Sequence, residues 1–318
     1  MEQIKVSVII CTYNQEATIS RALDSVLGQK GDFTYEIIIG EDGSPLDNTR
    51  KVCEDYQQKF PEIIHLLPKA PNKGFITNFR DCLASTKGKY IAICSGDDFW
   101  HNTNKLQEQI EFLDNNSNFG LVYTDFKILN VDRKTTESDF YKTKGITPPI
   151  GKIYYHLIHK NPIAACTVLF RKSLVDNYLN FQSYIDLEFG MEDYPMWLEF
   201  SQHTEFMYIP TSTLTYSIAD GSLSNNLSDL SKIEKFEQKI FKIKQHFLSK
   251  YPLKGILVQN LLDIHYSELV AKAVIGGHYK QARLYAKKLN KLKPVNVVKI
   301  LVCYTPLIYL YKKRLLGE

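Results

Sequence analysis

Two pairs of adjacent carboxylates are the groups in this chain best suited to chemistry. Asp97-Asp98 closes the polar run Ser95-Gly96-Asp97-Asp98 and precedes the aromatic pair Phe99-Trp100, while Glu192-Asp193 precedes Tyr194-Pro195 and the apolar Met196-Trp197-Leu198. Two carboxylates fixed side by side cannot both be desolvated cheaply. A divalent cation such as Mg²⁺ or Mn²⁺ relieves that cost and bridges to phosphate oxygens. A carboxylate at the start of a helix can act differently, taking the proton from a hydroxyl as its oxygen attacks. Each pair also has a plainer reading: a solvated turn for Asp97-Asp98, and acids complementing a helix dipole for Glu192-Asp193.

The surrounding elements bear on the choice. Val6-Ser-Val-Ile-Ile-Cys11 is an apolar, β-branched run that ends in polar Thr12-Tyr13-Asn14 and is followed by Ile19, Ala22, Leu23 and Val26 at helical spacing. Glu36–Gly40 leads in the same way into Glu41-Asp42-Gly43-Ser44 and a helix from near Asp47, and Ile63–Leu67 into a helix near Phe75–Ala84. Lys89–Cys94 runs into Ser95–Asp98, after which Leu106, Ile110 and Leu113 share a helical face. This alternation predicts an α/β fold with a mostly parallel sheet covered by helices on both faces. Ligands collect at the carboxyl ends of such strands. Here the polar and acidic ends are Thr12–Asn14, Glu41–Ser44 and Ser95–Asp98.

Beyond Asn130 the pattern loosens into strand-like Thr167–Phe170, Phe206–Ile209 and Leu214–Ile218, read as the second half of a cleft. From Ser231 onward Ile233, Phe236, Ile240, Ile243 and Phe247 keep helical spacing, and Leu257–Ala273 and His278–Leu292 read as two further helices. The expected organisation is one domain over 1–227 and a helical appendage over 228–318.

With 318 residues, 44% hydrophobic and 23% charged, the chain can bury a sizeable core, which excludes a disordered or fibrous protein. Its six cysteines form no C-x-x-C pair, which argues against a zinc cluster or a disulfide framework and for a reducing compartment. The first residues lack the pattern of a secretory leader, so a cytoplasmic location is expected. Neither G-x-G-x-x-G nor G-x-x-x-x-G-K-[ST] occurs, leaving hydride transfer and P-loop ATP hydrolysis without support. His156, His159, His203 and His246 show no paired metal spacing.

Val6–Asn14, Glu41-Asp42-Gly43-Ser44, Asn72-Lys73-Gly74, Ser95–Trp100 and Glu192-Asp193 occur together and in this order. On these motifs the sequence resembles the family-two inverting glycosyltransferases of the GT-A fold, over about residues 4–224. The resemblance implies a Rossmann-like, mostly parallel mixed sheet whose nucleotide-binding half covers about 1–125 and whose acceptor half covers about 126–227. It implies transfer of a sugar from a nucleoside diphosphate donor, most commonly UDP-linked, to a hydroxyl of a saccharide or lipid-linked saccharide in polysaccharide or cell-surface glycan synthesis, with no nucleic-acid partner. Thr12, Tyr13 and Asn14 would line the nucleobase and ribose pocket, Asp42 would face the base, and Asn72 and Gly74 would shape the adjoining wall. Asp97, with Asp98 beside it, would bind the Mn²⁺ or Mg²⁺ that neutralises the departing diphosphate, and Asp193 would be the general base. Two departures accompany it. Ser95 stands where the family carries a further metal-motif acid, and Ser217 and Ala219 stand where a late loop often has Arg and His. They motivate a second reading, a nucleotide-sugar-binding protein with weak or no turnover. A nucleotidyltransferase is the third, and it lacks a Gly- and Lys-rich triphosphate loop here.

From His278 to Glu318 ten Lys or Arg face one acid, while the rest of the chain is acidic, with 29 basic against 34 acidic residues. Ile300–Tyr311 is uncharged over twelve residues and flanked by Lys299 and Lys312-Lys313-Arg314. A bilayer span takes about 20 apolar residues. The stretch is therefore either an interfacial segment on the cytoplasmic membrane face or a last helix, broken at Pro306, packed on the appendage.

Overall fold

Val6–Thr12 (β1), Tyr35–Glu41 (β2), Ile64–Leu66 (β3) and Tyr90–Ser95 (β4) are short and nearly all buried. Apolar strands of this kind belong in a sheet covered on both faces. In the computed structural model, which describes residues 3–218, 227–255 and 258–316, they pair in parallel in the order β3-β2-β1-β4. Helices α1 (Glu16–Leu27), α2 (Thr49–Lys59), α3 (Phe75–Ala84) and α4 (Lys105–Asn115) connect or follow them. Helix α1 buries Ile19, Ala22, Leu23 and Val26, one stripe at the spacing the sequence carries.

Beyond β4 the sheet becomes mixed. It includes β5 (Phe99–Trp100), β6 (Phe119–Asn130), β7 (Thr135–Glu137), β8 (Leu169–Arg171) and β9 (Glu205–Ile218). Strand β8 runs antiparallel between β4 and β6, β9 lies parallel to β6, β5 closes antiparallel on β9, and β7 pairs with β6. The separate strands expected over 206–209 and 214–218 are one strand of 14 residues. Its pairing jumps from Thr124–Ile209 to Asp125–Ser212, so a bulge absorbs Pro210, which has no N–H to give a ladder. Short helices α5 (Phe140–Thr143), α6 (Tyr154–His159), α7 (Lys172–Tyr178), α8 (Phe181–Asp186) and α9 (Asp193–Phe200) fill the region where hydrophobic periodicity is weak. In α9 every residue from Tyr194 to Phe200 is buried, so it shows no amphipathic stripe.

The chain divides into two compact units after Ile218. In the second, α10 (Leu230–Lys250) starts at Asp229, whose side chain accepts from the Ser231 and Lys232 N–H groups. Helices α11 (Val258–Ile275), α12 (Tyr279–Ala286), α13 (Pro294–Cys303) and α14 (Leu307–Leu316) follow. The helix expected over 278–292 ends at Ala286, and the uncharged 300–311 stretch straddles the break between α13 and α14, which are bent by 113°. Val270, Ala273, Val274, Ala282, Ala286 and Cys303 form the centre of this unit's core.

Candidate active site

The parallel register brings three polar turns to one sheet edge. Thr12 of β1 lies beside Glu41 of β2, and Cys11 beside Ser95 of β4. The turns that leave these strands are then tied together. Asn14 takes a left-handed conformation, φ 52°, from which its N–H donates to Ser44 Oγ at 2.8 Å and its Oδ1 accepts from Leu46 N–H at 3.3 Å. The Asp42 N–H donates to Thr12 O at 3.1 Å, its Oδ1 accepts from Lys73 N–H at 3.0 Å, and its carbonyl accepts from Asn72 Nδ2 at 3.0 Å. Gly43 has φ 70°, and a Cβ there would fall 2.8 Å from both Ala70 O and Asn72 N. Only glycine fits that combination of backbone and contact. Gly74 precedes α3. Thr12 is buried with its hydroxyl on Gln15 Oε1 at 2.8 Å, whereas Tyr13 is 44% exposed. Thr12, Asn14, Asp42 and Asn72 are thus parts of one connected wall, with Tyr13 and Gly74 beside them in the chain.

The acidic turn between β4 and β5 meets this wall. A Cβ on Gly96 would lie 2.4 Å from Gln15 Oε1 and 2.8 Å from Thr12 Oγ1, so the bare backbone permits the approach. Asp98 is 1% exposed, and its Oδ1 accepts from Ser217 N–H at 2.8 Å. Its Oδ2 is buried with no hydrogen-bond partner of ordinary geometry among the described residues. Burial, then the charge of Asp97, pushes the Asp98 carboxyl up to about 7; the Ser217 N–H and the nearby Cys166 thiol offset only part of this. Asp97 is less enclosed, and burial raises its carboxyl as well, opposed by Arg21 and Gln15. An orphaned carboxylate oxygen beside a second acid fits a divalent cation. No group of three His, Cys, Asp or Glu that could hold a metal is found among the described residues, so other ligands would come from phosphate and water, as Mg²⁺ commonly takes them. The Ser95 N–H donates to Cys166 Sγ and its hydroxyl shares a hydrogen bond with the same thiol, both at 3.2 Å, and the residue supplies no third acid.

Glu192 caps α9 and Asp193 opens it. Glu192 is 7% exposed, while Asp193 keeps partial exposure. Burial raises both carboxyls, Asp193 to about 6 and Glu192, which also feels the Asp193 charge, to about 8. Asp193 therefore ionises first, helped by the backbone N–H groups at the helix start. The Cys11 thiol at the end of β1 is pushed up chiefly by its contact with Cys82 and by burial, and further by the charges of Glu192 and Asp42.

Arg21 is a component that motif reading does not single out. From α1 its Nη2 donates to Asp97 O at 3.0 Å and to Ser217 Oγ at 3.3 Å, with the guanidinium 4.3 Å from the Phe99 ring centroid. One side chain thereby ties the acidic turn to the end of β9. Its only trace in the sequence is a cation on the polar side of an otherwise ordinary amphipathic helix. Ala219 lies outside the described residues. Trp100 and Trp197 are 3% and 0% exposed, and Trp100 Nε1 donates to Cys166 O at 3.0 Å, so both are core side chains.

Comparison with known proteins agrees with this architecture. The glycosyl transferase family 2 model matches residues 7–179. The UDP-Glc:alpha-D-GlcNAc-diphosphoundecaprenol beta-1,3-glucosyltransferase WfgD of Escherichia coli is 30% identical over 230 residues, 71% of this chain and 82% of WfgD. An uncharacterized protein of Mycobacterium tuberculosis is 36% identical over 108 residues, so the chain spans only 31% of that relative's length. Among solved structures, S. aureus TarS superposes with a TM-score of 0.55 at 15% identity, covering 95% of this chain and 54% of TarS. The mannosyltransferase PcManGT from Pyrobaculum calidifontis, in complex with GDP-Man and Mn²⁺, gives 0.55 at 14% identity, covering 99% of this chain and 85% of that one. The fold is GT-A, with the C-terminal helices added to it.

Proposed function

Because the chain belongs to glycosyl transferase family 2, we propose that it moves one hexosyl unit from a UDP-linked sugar to an acceptor hydroxyl with inversion at the anomeric carbon. The observation that carries this reading is the meeting of the hydrogen-bonded turns after β1 and β2 with the Asp97-Asp98 turn on one sheet edge, and the two raised carboxyls of Glu192-Asp193 at the start of α9 support it. The wall of Thr12, Tyr13, Asn14, Asp42, Asn72 and Gly74 would hold base and ribose. Asp97 and Asp98 would hold Mn²⁺ or Mg²⁺, which when bound would neutralise charge on the leaving diphosphate. The acceptor oxygen would attack the anomeric carbon, the bond from that carbon to the diphosphate oxygen would break, and Asp193 would take the hydroxyl proton. Arg21 would keep the acidic turn in register. WfgD's name specifies a UDP-Glc donor and a diphosphoundecaprenol-linked acceptor, which supports a saccharide or lipid-linked saccharide acceptor at a membrane surface and a role in polysaccharide or cell-surface glycan assembly.

Thermal unfolding with UDP, GDP, CDP or TDP, with Mn²⁺ or with chelator, tests the donor half. UDP with Mn²⁺ at 100 times its dissociation constant should add about 2.7 kcal/mol of stability, and Asp97→Asn or chelator should remove that gain. Failure of every nucleotide to stabilise the protein would defeat the reading. A second reading, donor binding with little turnover, draws on the engagement of Ser95 with Cys166. It requires that UDP-sugar hydrolysis and transfer be equally slow in the parent and in Asp193→Asn.

A further inference from the structure

Eleven of the eighteen large apolar side chains exposed among the described residues lie between Leu284 and Leu316. In α13, Val295, Val298 and Leu301 recur every third residue and are 60%, 58% and 60% exposed; in α14, Leu307 and Leu310 are 51% and 62% exposed. The opposite sides of the two helices are anchored. Cys303 and Ile308 belong to the unit's buried core, Arg283 Nε donates to Cys303 O at 2.9 Å, and Asn296 Nδ2 donates to Asn290 O at 3.0 Å. Each helix is therefore held on one side while Val295, Val298 and Leu301, and Leu307 and Leu310, present hydrocarbon to solvent, as interaction surfaces do.

We propose that this face of α13 and α14 seats on an anionic bilayer surface, which deepens the functional reading by bringing the GT-A domain to a lipid-linked acceptor. Charge complementarity selects this occupant. Lys287, Lys288 and Lys291 precede α13, and Lys312, Lys313 and Arg314 end α14, in a region with ten basic residues and one acid. Apolar side chains flanked by long cationic ones let the stems lie along hydrocarbon while the heads meet phosphate. Neither helix is long enough to span alone: ten residues of helix reach about 15 Å, half the hydrocarbon thickness, and the 113° bend turns the second helix away from the first. The hairpin lies in the interface, with its bend at Tyr304–Pro306 among the headgroups.

The test uses the full chain and co-sedimentation with phosphatidylcholine vesicles with and without phosphatidylglycerol. The protein should pellet with the phosphatidylglycerol vesicles and be released by salt. The triple change Lys312→Gln, Lys313→Gln, Arg314→Gln should weaken binding by about a hundredfold, since each cation near an anionic surface contributes roughly fivefold. Leu301→Glu with Leu310→Glu, at exposed sites that carry no core packing, should abolish it. Absence of pelleting by the parent, equal pelleting on vesicles without phosphatidylglycerol, or a dimer that Leu301→Glu dissolves would each overturn the proposal, the last by showing that a second copy covers the face. Stabilisation by UDP with Mn²⁺, measured on the same variants without vesicles, should be unchanged. Pelleting without nucleotide stabilisation would retire the transferase reading and leave the membrane surface standing.

Discussion

Replacing Asp98 by Asn removes a charge that the fold surrounds with protein and leaves half unpartnered, while keeping the Oδ1 that accepts from Ser217 N–H at 2.8 Å. In the native state the carboxyl is raised from 3.8 to about 7. Between those values the native protein holds a proton that the unfolded chain has already released, so stability falls as pH rises, by about 1.4 kcal/mol per pH unit. The loss accumulates to roughly 4 kcal/mol by pH 7 and is flat above it. The Asn variant does not carry this slope. In metal-free buffer it should therefore be more stable than the parent at pH 8, by a margin about 3 kcal/mol wider than at pH 5. Because the Asp97 charge contributes to the shift, relief of Asp97 in the variant acts in the same direction. Urea unfolding at pH 5, 6, 7 and 8 with chelator present measures the margin. Adding Mn²⁺ and UDP at pH 8 should close it by stabilising the parent alone. A margin that is constant from pH 5 to pH 8 would refute the reasoning, because the Asp98 charge would then cost the native state nothing.

Asp193→Asn should lower kcat by about 10²–10⁴-fold and leave stabilisation by UDP intact, measured by product formation and thermal shift on one preparation. In the parent, kcat/KM should fall as pH falls through about 6, where Asp193 takes up a proton and can no longer accept one. Arg21→Met deletes the hydrogen bonds to Asp97 O and Ser217 Oγ; calorimetric titration should show UDP–Mn²⁺ affinity reduced by about tenfold, equivalent to about 1.4 kcal/mol, while circular dichroism stays unchanged. Gly43→Ala places a methyl group 2.8 Å from backbone atoms at φ 70°, and denaturant unfolding should register a loss of about 1–3 kcal/mol.

Strand ends were the most legible part of this chain. Runs such as Val6–Cys11 and Glu36–Gly40 carry period and β-branching locally, and the polar residues that stop them coincide with the sheet edge because parallel register aligns carboxyl ends. What depends on distant pairing was not legible. The contact between Arg21 and Ser217 joins residues 196 positions apart, and nothing in an amphipathic helix says which exposed cation will cross to another strand. Ser95 reads as a lost acid, but its engagement with Cys166 depends on the turn that leads into the antiparallel strand β8, where periodicity is weak. The continuity of β9 through Pro210 was hidden for a related reason, since proline ends a strand locally and only the bulged partner β6 accommodates it.

The wall that joins Asn14, Ser44, Asp42, Asn72 and Lys73 is cross-linked by its own hydrogen bonds before any ligand arrives. If a nucleotide is held here as proposed, the wall would have little ordering entropy left to lose on binding, so more of each contact's free energy would appear as affinity. It also has little freedom to adjust. A base that misaligns one donor or acceptor would meet a partner already fixed by a neighbouring loop, and the mismatch would persist as an unpaired group. Discrimination among nucleotides would then reside in the shape of backbone shared by three loops. A change of base preference would require coordinated changes in all three, whereas the sugar and acceptor sides of the cleft could diverge independently.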